Sequence, residues 1–103
     1  MARFLIIWRI NPTLFPDDPE EYAKFIEKVW ANIDDLIKKG VVEEMGAFLD
    51  GMTGFAIANA ESRDVYRILN MYEPYWEFEV NEIISYEDMK EEIRAVRKSQ
   101  AEA

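Results

Sequence analysis

VVEEMGAFLDGMTGFAIANA, Val41–Ala60, is the stretch on which the fold turns. Two apolar runs flank Asp50-Gly51. Asp-Gly between alternating runs is the strongest short-range hairpin signal, because a two-residue type I′ turn needs positive φ at both central positions. With that turn the register follows: Leu49 faces Met52, Phe48 faces Thr53, Ala47 faces Gly54 and Gly46 faces Phe55. Pairing continues through Met45–Ala56, Glu44–Ile57 and Glu43–Ala58 to Val42–Asn59. Paired residues share a face. One side is then Met45, Ala47, Leu49, Met52, Gly54, Ala56 and Ala58, small and apolar, a surface on which helices can lie close. The other is Val42, Glu44, Gly46, Phe48, Thr53, Phe55, Ile57 and Asn59, larger and mixed with polar groups, and it needs cover too.

Upstream, Ala2–Ile10 (ARFLIIWRI) is apolar on both faces and reads as a central strand. Asn11–Asp17, with Pro12 and Pro16, reads as a connection. Asp18-Pro19-Glu20-Glu21 opens a helix, with Asp18 as N-cap, Pro19 at the first helical position and Glu21 placed for a capping box. Tyr22, Phe25, Ile26, Val29, Ile33, Leu36 and Ile37 then recur at three- and four-residue spacing, and Lys38-Lys39-Gly40 closes the helix.

Downstream, Ser62 is the expected cap of a shorter helix reaching Tyr72, stopped by Pro74. Trp76–Ile84 alternates, with Trp76, Phe78 and Val80 on one face and Glu77, Glu79 and Asn81 on the other, as an edge strand would. Ser85, followed by Asp88, opens a third helix with a thin stripe of Met89, Ile93 and Val96. Glu87–Lys90 and Glu91–Arg94 are spaced to pair along it, and its polar end, Lys98–Ala103, is expected to fray.

The order is βαββαβ plus a C-terminal helix, in one domain spanning residues 1–103 with a core over 2–85 and a helix and tail over 86–103. Right-handed crossovers around a hairpin make this an α+β, ferredoxin-like fold: a four-stranded antiparallel sheet with both crossover helices on one face. The first strand offers its open face either Arg3, Leu5, Ile7 and Arg9 or the alternate set. The arginine set is favoured, since Phe4, Ile6, Trp8 and Ile10 make the better surface for helices.

Composition narrows the chemistry. A chain of 103 residues buries roughly two thirds of its surface at best, so a sheet left bare on one side is marginal. Without cysteine there is no disulfide framework and no thiolate chemistry. Without histidine the usual general base and the usual zinc or haem ligand are missing, and no metal or cofactor is expected. A net charge of −9 argues against nucleic acid and anionic membrane as partners. Met1–Ile10 lacks the features of a signal peptide and no apolar run approaches membrane-spanning length, so a cytoplasmic location is expected.

Trp8-Arg9 closing the first strand with a proline soon after, GFAIANAES at Gly54–Ser62, and the passage from Trp76–Val80 into NEIIS carry a resemblance. Over residues 2–85 the chain resembles the dimeric α+β barrel superfamily of small ferredoxin-like proteins. It is similar to a branch in which a strand reading GFAIVEA precedes a helix and one reading FEVxPII ends the sheet; Asn81-Glu82 departs from that proline pattern. The resemblance implies a homodimer whose open faces pack around a shared cavity able to hold a small organic molecule. Relatives of that kind include muconolactone-type isomerases, cofactor-free quinone monooxygenases, haem proteins and ligand-binding modules, several of which lean on a histidine absent here.

Carboxylates remain for acid–base work. Glu44, on the cavity face of the hairpin, is the best candidate base for an isomerase- or monooxygenase-like reaction. Arg9 or Arg3 could hold a substrate carboxylate or an enolate, and Phe55 and Asn59 could contact a ligand. The plainer reading makes Glu77 and Glu79 solvated edge residues or partners of Arg3 and Arg9, and makes Thr53 and Asn59 satisfy strand ends. An RNA-recognition module shares the βαββαβ order, but Thr53-Gly54-Phe55-Ala56-Ile57 offers one aromatic where that module stacks bases on two or three.

Overall fold

The computed structural model describes residues 2–102. Strand β1 (Ala2–Ile10) is followed by a single 3-10 turn at Pro12–Leu14 and helix α1 (Pro19–Lys38). Strands β2 (Val42–Ala47) and β3 (Thr53–Ala60), helix α2 (Ser62–Tyr72), strand β4 (Trp76–Ile83) and helix α3 (Tyr86–Glu102) complete the chain. One antiparallel sheet in the order β2-β3-β1-β4 places β1 at the centre and β4 at an edge, as the apolarity of the one and the alternation of the other require. The architecture is α+β and ferredoxin-like, with α3 added.

Helix starts follow the expected chemistry with one shift. The Asp18 carboxylate accepts from the Glu21 N–H at 3.0 Å, and Gly40 closes α1 at φ +79°. Ser85 Oγ accepts from the Asp88 N–H at 3.1 Å. At α2 the cap position belongs to Glu61 rather than Ser62, the Glu61 carbonyl accepting from the Asp64 and Val65 N–H groups. Helix α3 is not frayed over Lys98–Glu102; it continues to Glu102, and Ala103 lies outside the described residues.

The hairpin differs from expectation in two places. Only Gly51 has positive φ, +76°, so Asp50-Gly51 is not a type I′ turn. The loop runs from Leu49 to Met52: the Phe48 N–H donates to the Thr53 carbonyl at 2.8 Å and the Gly51 N–H to the Phe48 carbonyl at 3.0 Å. The cause is the Asp50 side chain. Its Oδ1 accepts from the Met52 and Thr53 N–H groups and its Oδ2 from the Thr53 hydroxyl at 2.7 Å, closing the loop by an Asx-type contact. Leu49 is consequently fully exposed instead of facing Met52 on the helix side.

Those bonds, the one from the Met52 N–H foremost, hold the Asp50 carboxyl below the usual carboxylate range. A depressed folded-state pKa means the contribution is present above the unfolded value and lost as pH falls through the folded one. The stability difference between the native chain and Asp50→Ala, read from denaturant midpoints, is therefore expected to be largest near pH 7 and to shrink below about pH 4.

The second departure is a bulge at Glu43. Register runs as expected from Ala47↔Gly54 to Glu44↔Ile57, then slips so that Val42 pairs with Ala58 rather than Asn59. Unbulged pairing would set the Glu43 carboxylate opposite Ala58, on the helix-covered face, and Val42 on the open one. The extra residue exchanges them: Val42 joins the apolar layer and Glu43 meets Arg3, Oε2 to Nη2 at 2.6 Å.

Phe4, Ile6, Trp8 and Ile10 face the helices, as favoured from sequence. Phe4, Ile6, Ala56, Ala58, Ala60 and Val65 make the core, with α2 lying close on the small residues of β3. Helix α1 stands off. Between it, the sheet and α2 is a cleft of about 510 Å³ walled by side chains such as Ile6, Trp8, Ile26, Val29, Ile33 and Leu69. A second apolar cluster closes one end: Phe15, 7% exposed, packs its ring 5.3 Å from Phe25 and 5.2 Å from Trp76, with Tyr22, Tyr72 and Tyr75 around them.

Candidate functional site

The open face of the sheet is laid out in rows, because residues paired across strands share a side. Asn59, Arg3 and Ile83 form the first row; Glu44, Ile57, Leu5 and Asn81 the second. Gly46, Phe55, Ile7 and Glu79 form the third, and Phe48, Thr53, Arg9 and Glu77 the fourth. The centre of the two middle rows is aliphatic and aromatic, while charge and amide sit at the borders. Leu5, Ile7, Phe55 and Ile57 are only half-buried.

Gly46 shapes this surface. The Phe55 ring lies over it so closely that a Cβ there would stand 2.8 Å from Phe55 Cε1. The same ring stacks on Phe48 with centroids 6.3 Å apart and planes inclined by 22°. A flat aromatic floor thus forms at the hairpin end of the face, and the bare backbone at Gly46 is what lets it lie down.

Arg9, Glu44, Phe55 and Asn59 all belong to this open face, but each stands in a different row. Arg9 pairs with Thr53, six residues from Asn59, which separates the two by roughly 20 Å along the strands. One small molecule on one chain cannot touch both. Glu44 and Phe55 are diagonal neighbours on β2 and β3. Glu44 is exposed.

The charged borders differ from simple neighbour pairing. Register sets Arg9 beside Glu77 and Ile7 beside Glu79, yet among the described residues neither glutamate forms an ion pair. Arg3 takes Glu43 instead, across β3. Arg9 acts on Asp50, its charge adding to the hydrogen bonds that favour the ionised carboxylate. On α3, Glu87–Lys90 forms at 3.2 Å, whereas Glu91–Arg94 does not among the described residues. Burial pushes the Tyr72 phenol up, beside Trp76 in the aromatic cluster.

Among the described residues no group of three or more acidic side chains is arranged to hold a metal, and no helix is long and apolar enough to cross a membrane. The Glu43–Arg3 pair and the Phe15 cluster escaped the reading of the sequence. A signal for the first was present: two glutamates separate Val42 from Met45, where strict alternation allows one. No model of a known protein family matches this chain, and a search of curated proteins finds no match either.

Proposed function

We propose that the chain is a subunit that pairs with a second copy through the open sheet face, and that the paired faces enclose a site for a small organic molecule. One observation supports this above the rest: an apolar centre made by Leu5, Ile7, Phe55 and Ile57 stands uncovered between charged borders. Burying such a centre is worth roughly 25 cal/mol per Å² removed from water, and self-complementary two-fold pairing is the commonest way to do it. Two-fold pairing with the strands reversed brings the row of Arg9 opposite the partner's row of Asn59. The residues that one chain keeps apart then border one cavity, with Phe55 as its floor and Arg9 able to hold a carboxylate.

The test is equilibrium sedimentation of Ile57→Glu. A carboxylate in the centre of a dry interface is expected to weaken association at least a hundredfold, about 2.7 kcal/mol. An unchanged mass would sink the pairing. With the native chain, benzoate serves as the first ligand probe, and Phe55→Ala is expected to weaken its binding about tenfold.

An isomerase- or monooxygenase-like reaction with Glu44 as base is the second reading, favoured by the diagonal placement of Glu44 beside the Phe55 floor. Glu44→Gln separates the two: it abolishes turnover of a carbon acid under the second reading and leaves mass and benzoate affinity unchanged under the first.

A further inference from the structure

Asp50-Gly51 shapes the hairpin loop, and the same pair is the one most prone to attack by the backbone on a side chain. The carboxyl carbon of an aspartate lies one five-membered ring away from the amide nitrogen that follows it. A side chain on the following residue hinders ring closure, and glycine has none. Asp50 is the one aspartate followed by glycine, and no asparagine is. Asp34, Asp35, Asp64 and Asp88 lie within helices, while Asp17 and Asp18 precede an aspartate and a proline. Leu49, Asp50, Gly51 and Met52 are all exposed, so water reaches the loop.

The chemistry needs no reactant besides water. The Gly51 nitrogen forms a bond to Asp50 Cγ, and the amide hydrogen leaves with the hydroxyl of the neutral carboxyl as water. The product is a cyclic succinimide. Water then opens the ring at one of its two carbonyl carbons. Addition at Cγ restores aspartate; addition at the main-chain carbonyl carbon of Asp50 gives isoaspartate, with the chain now running through Cβ and Cγ.

The folded loop opposes each requirement. Its reacting nitrogen is engaged, since the Gly51 N–H donates to the Phe48 carbonyl at 3.0 Å. Its carboxylate is turned forward, past Gly51. Oδ1 accepts from the Met52 and Thr53 N–H groups at 2.9 and 3.0 Å, and Oδ2 from the Thr53 hydroxyl at 2.7 Å. Ring closure consumes the neutral acid, whereas these bonds, the one from Met52 foremost, favour the ionised carboxylate.

We propose that Asp50-Gly51 is a site of succinimide and isoaspartate formation, unreactive while Thr53 holds the Asp50 carboxylate and released when the loop opens. Conversion then reaches beyond the loop. Isoaspartate lengthens the main chain by a methylene and removes the carboxylate from the position that meets Met52 and Thr53. The neighbouring bond from the Phe48 N–H to the Thr53 carbonyl loses its closure, and with it the Phe48 ring that stacks on Phe55. The modification thus loosens the aromatic floor of the open face, whatever covers that face.

Peptide mapping of the full chain at neutral pH tests it, with the fragment carrying Asp50 resolved from its isoaspartyl form by chromatography and mass spectrometry. Unfolded in guanidinium chloride, the chain is expected to accumulate isoaspartate at Asp50 ahead of every other aspartate. The folded chain is expected to react roughly tenfold more slowly, because the loop must open first. Thr53→Val keeps the branched shape and removes the hydroxyl bond to the carboxylate. Read well below its thermal midpoint, it is expected to react about fivefold faster than the native chain. Thr53→Ser restores the hydroxyl and is expected to return to the native rate. Equal rates in the folded and unfolded chains would overturn the proposal, as would a native rate in Thr53→Val or an unfolded chain that forms no isoaspartate at Asp50. The isomerised chain, once separated, is expected to melt below the native one; an identical midpoint would refute the coupling to Phe48.

Discussion

Gly54→Val is expected to cost about 3 kcal/mol and to lower the thermal midpoint by roughly 12 °C or more, followed by circular dichroism. The position is closed on both sides. A Cβ at Gly54 would overlap the Trp8 indole and the Gly46 carbonyl oxygen. Trp8 cannot simply swing away, because its Nε1–H donates to the Phe55 carbonyl at 3.2 Å while its ring forms part of the cleft wall. Nor can β2 retreat without breaking the Ala47↔Gly54 rung. Gly51→Ala is the informative control. Gly51 has open space around it but a φ of +76°, so alanine there costs only about 1 kcal/mol of backbone strain. Equal losses at the two sites would refute the steric account of Gly54.

Phe15→Ala is expected to cost about 3–5 kcal/mol, a large share of the 5–15 kcal/mol typical of a whole domain. Phe15 lies outside every long helix and strand, yet its ring touches α1 through Tyr22 and Phe25 and the start of β4 through Tyr75 and Trp76. Removing it separates the β1–α1 connection from the α2–β4 connection and opens the end of the cleft. Phe15→Leu keeps the volume and loses the ring contacts, and is expected to fall between the two in urea denaturation.

The central and edge strands, and the faces of β1 and β4, were legible in the sequence because they rest on period. Ala2–Ile10 is apolar throughout and lies central; Trp76–Val80 alternates and lies at the edge. Helix α1 could be bounded from Asp18-Pro19 and Gly40 alone, since caps are local chemistry. The turn was misread because Asp-Gly suits more than one loop, and the Asp50 carboxylate, by binding the Met52 and Thr53 amides, chose the longer. Phe15 was hidden for a different reason: a single aromatic between two prolines has no period, and only the fold brings Phe25 and Trp76 to it. The candidate site was legible as a face but not as a point, since strand register fixes which side Arg9, Glu44, Phe55 and Asn59 occupy and sets the first and last about 20 Å apart.

The bulge at Glu43 also governs how this protein can grow. A border strand offers unpaired amides and carbonyls to any extended peptide, the route by which sheets lengthen into fibrils. On β2 the extra residue interrupts that template, and on β4 Glu77, Glu79 and Glu82 repel a copy of themselves. Lateral propagation is blocked at both margins, so concentrated solutions should yield particles of finite size and no thioflavin-binding aggregates.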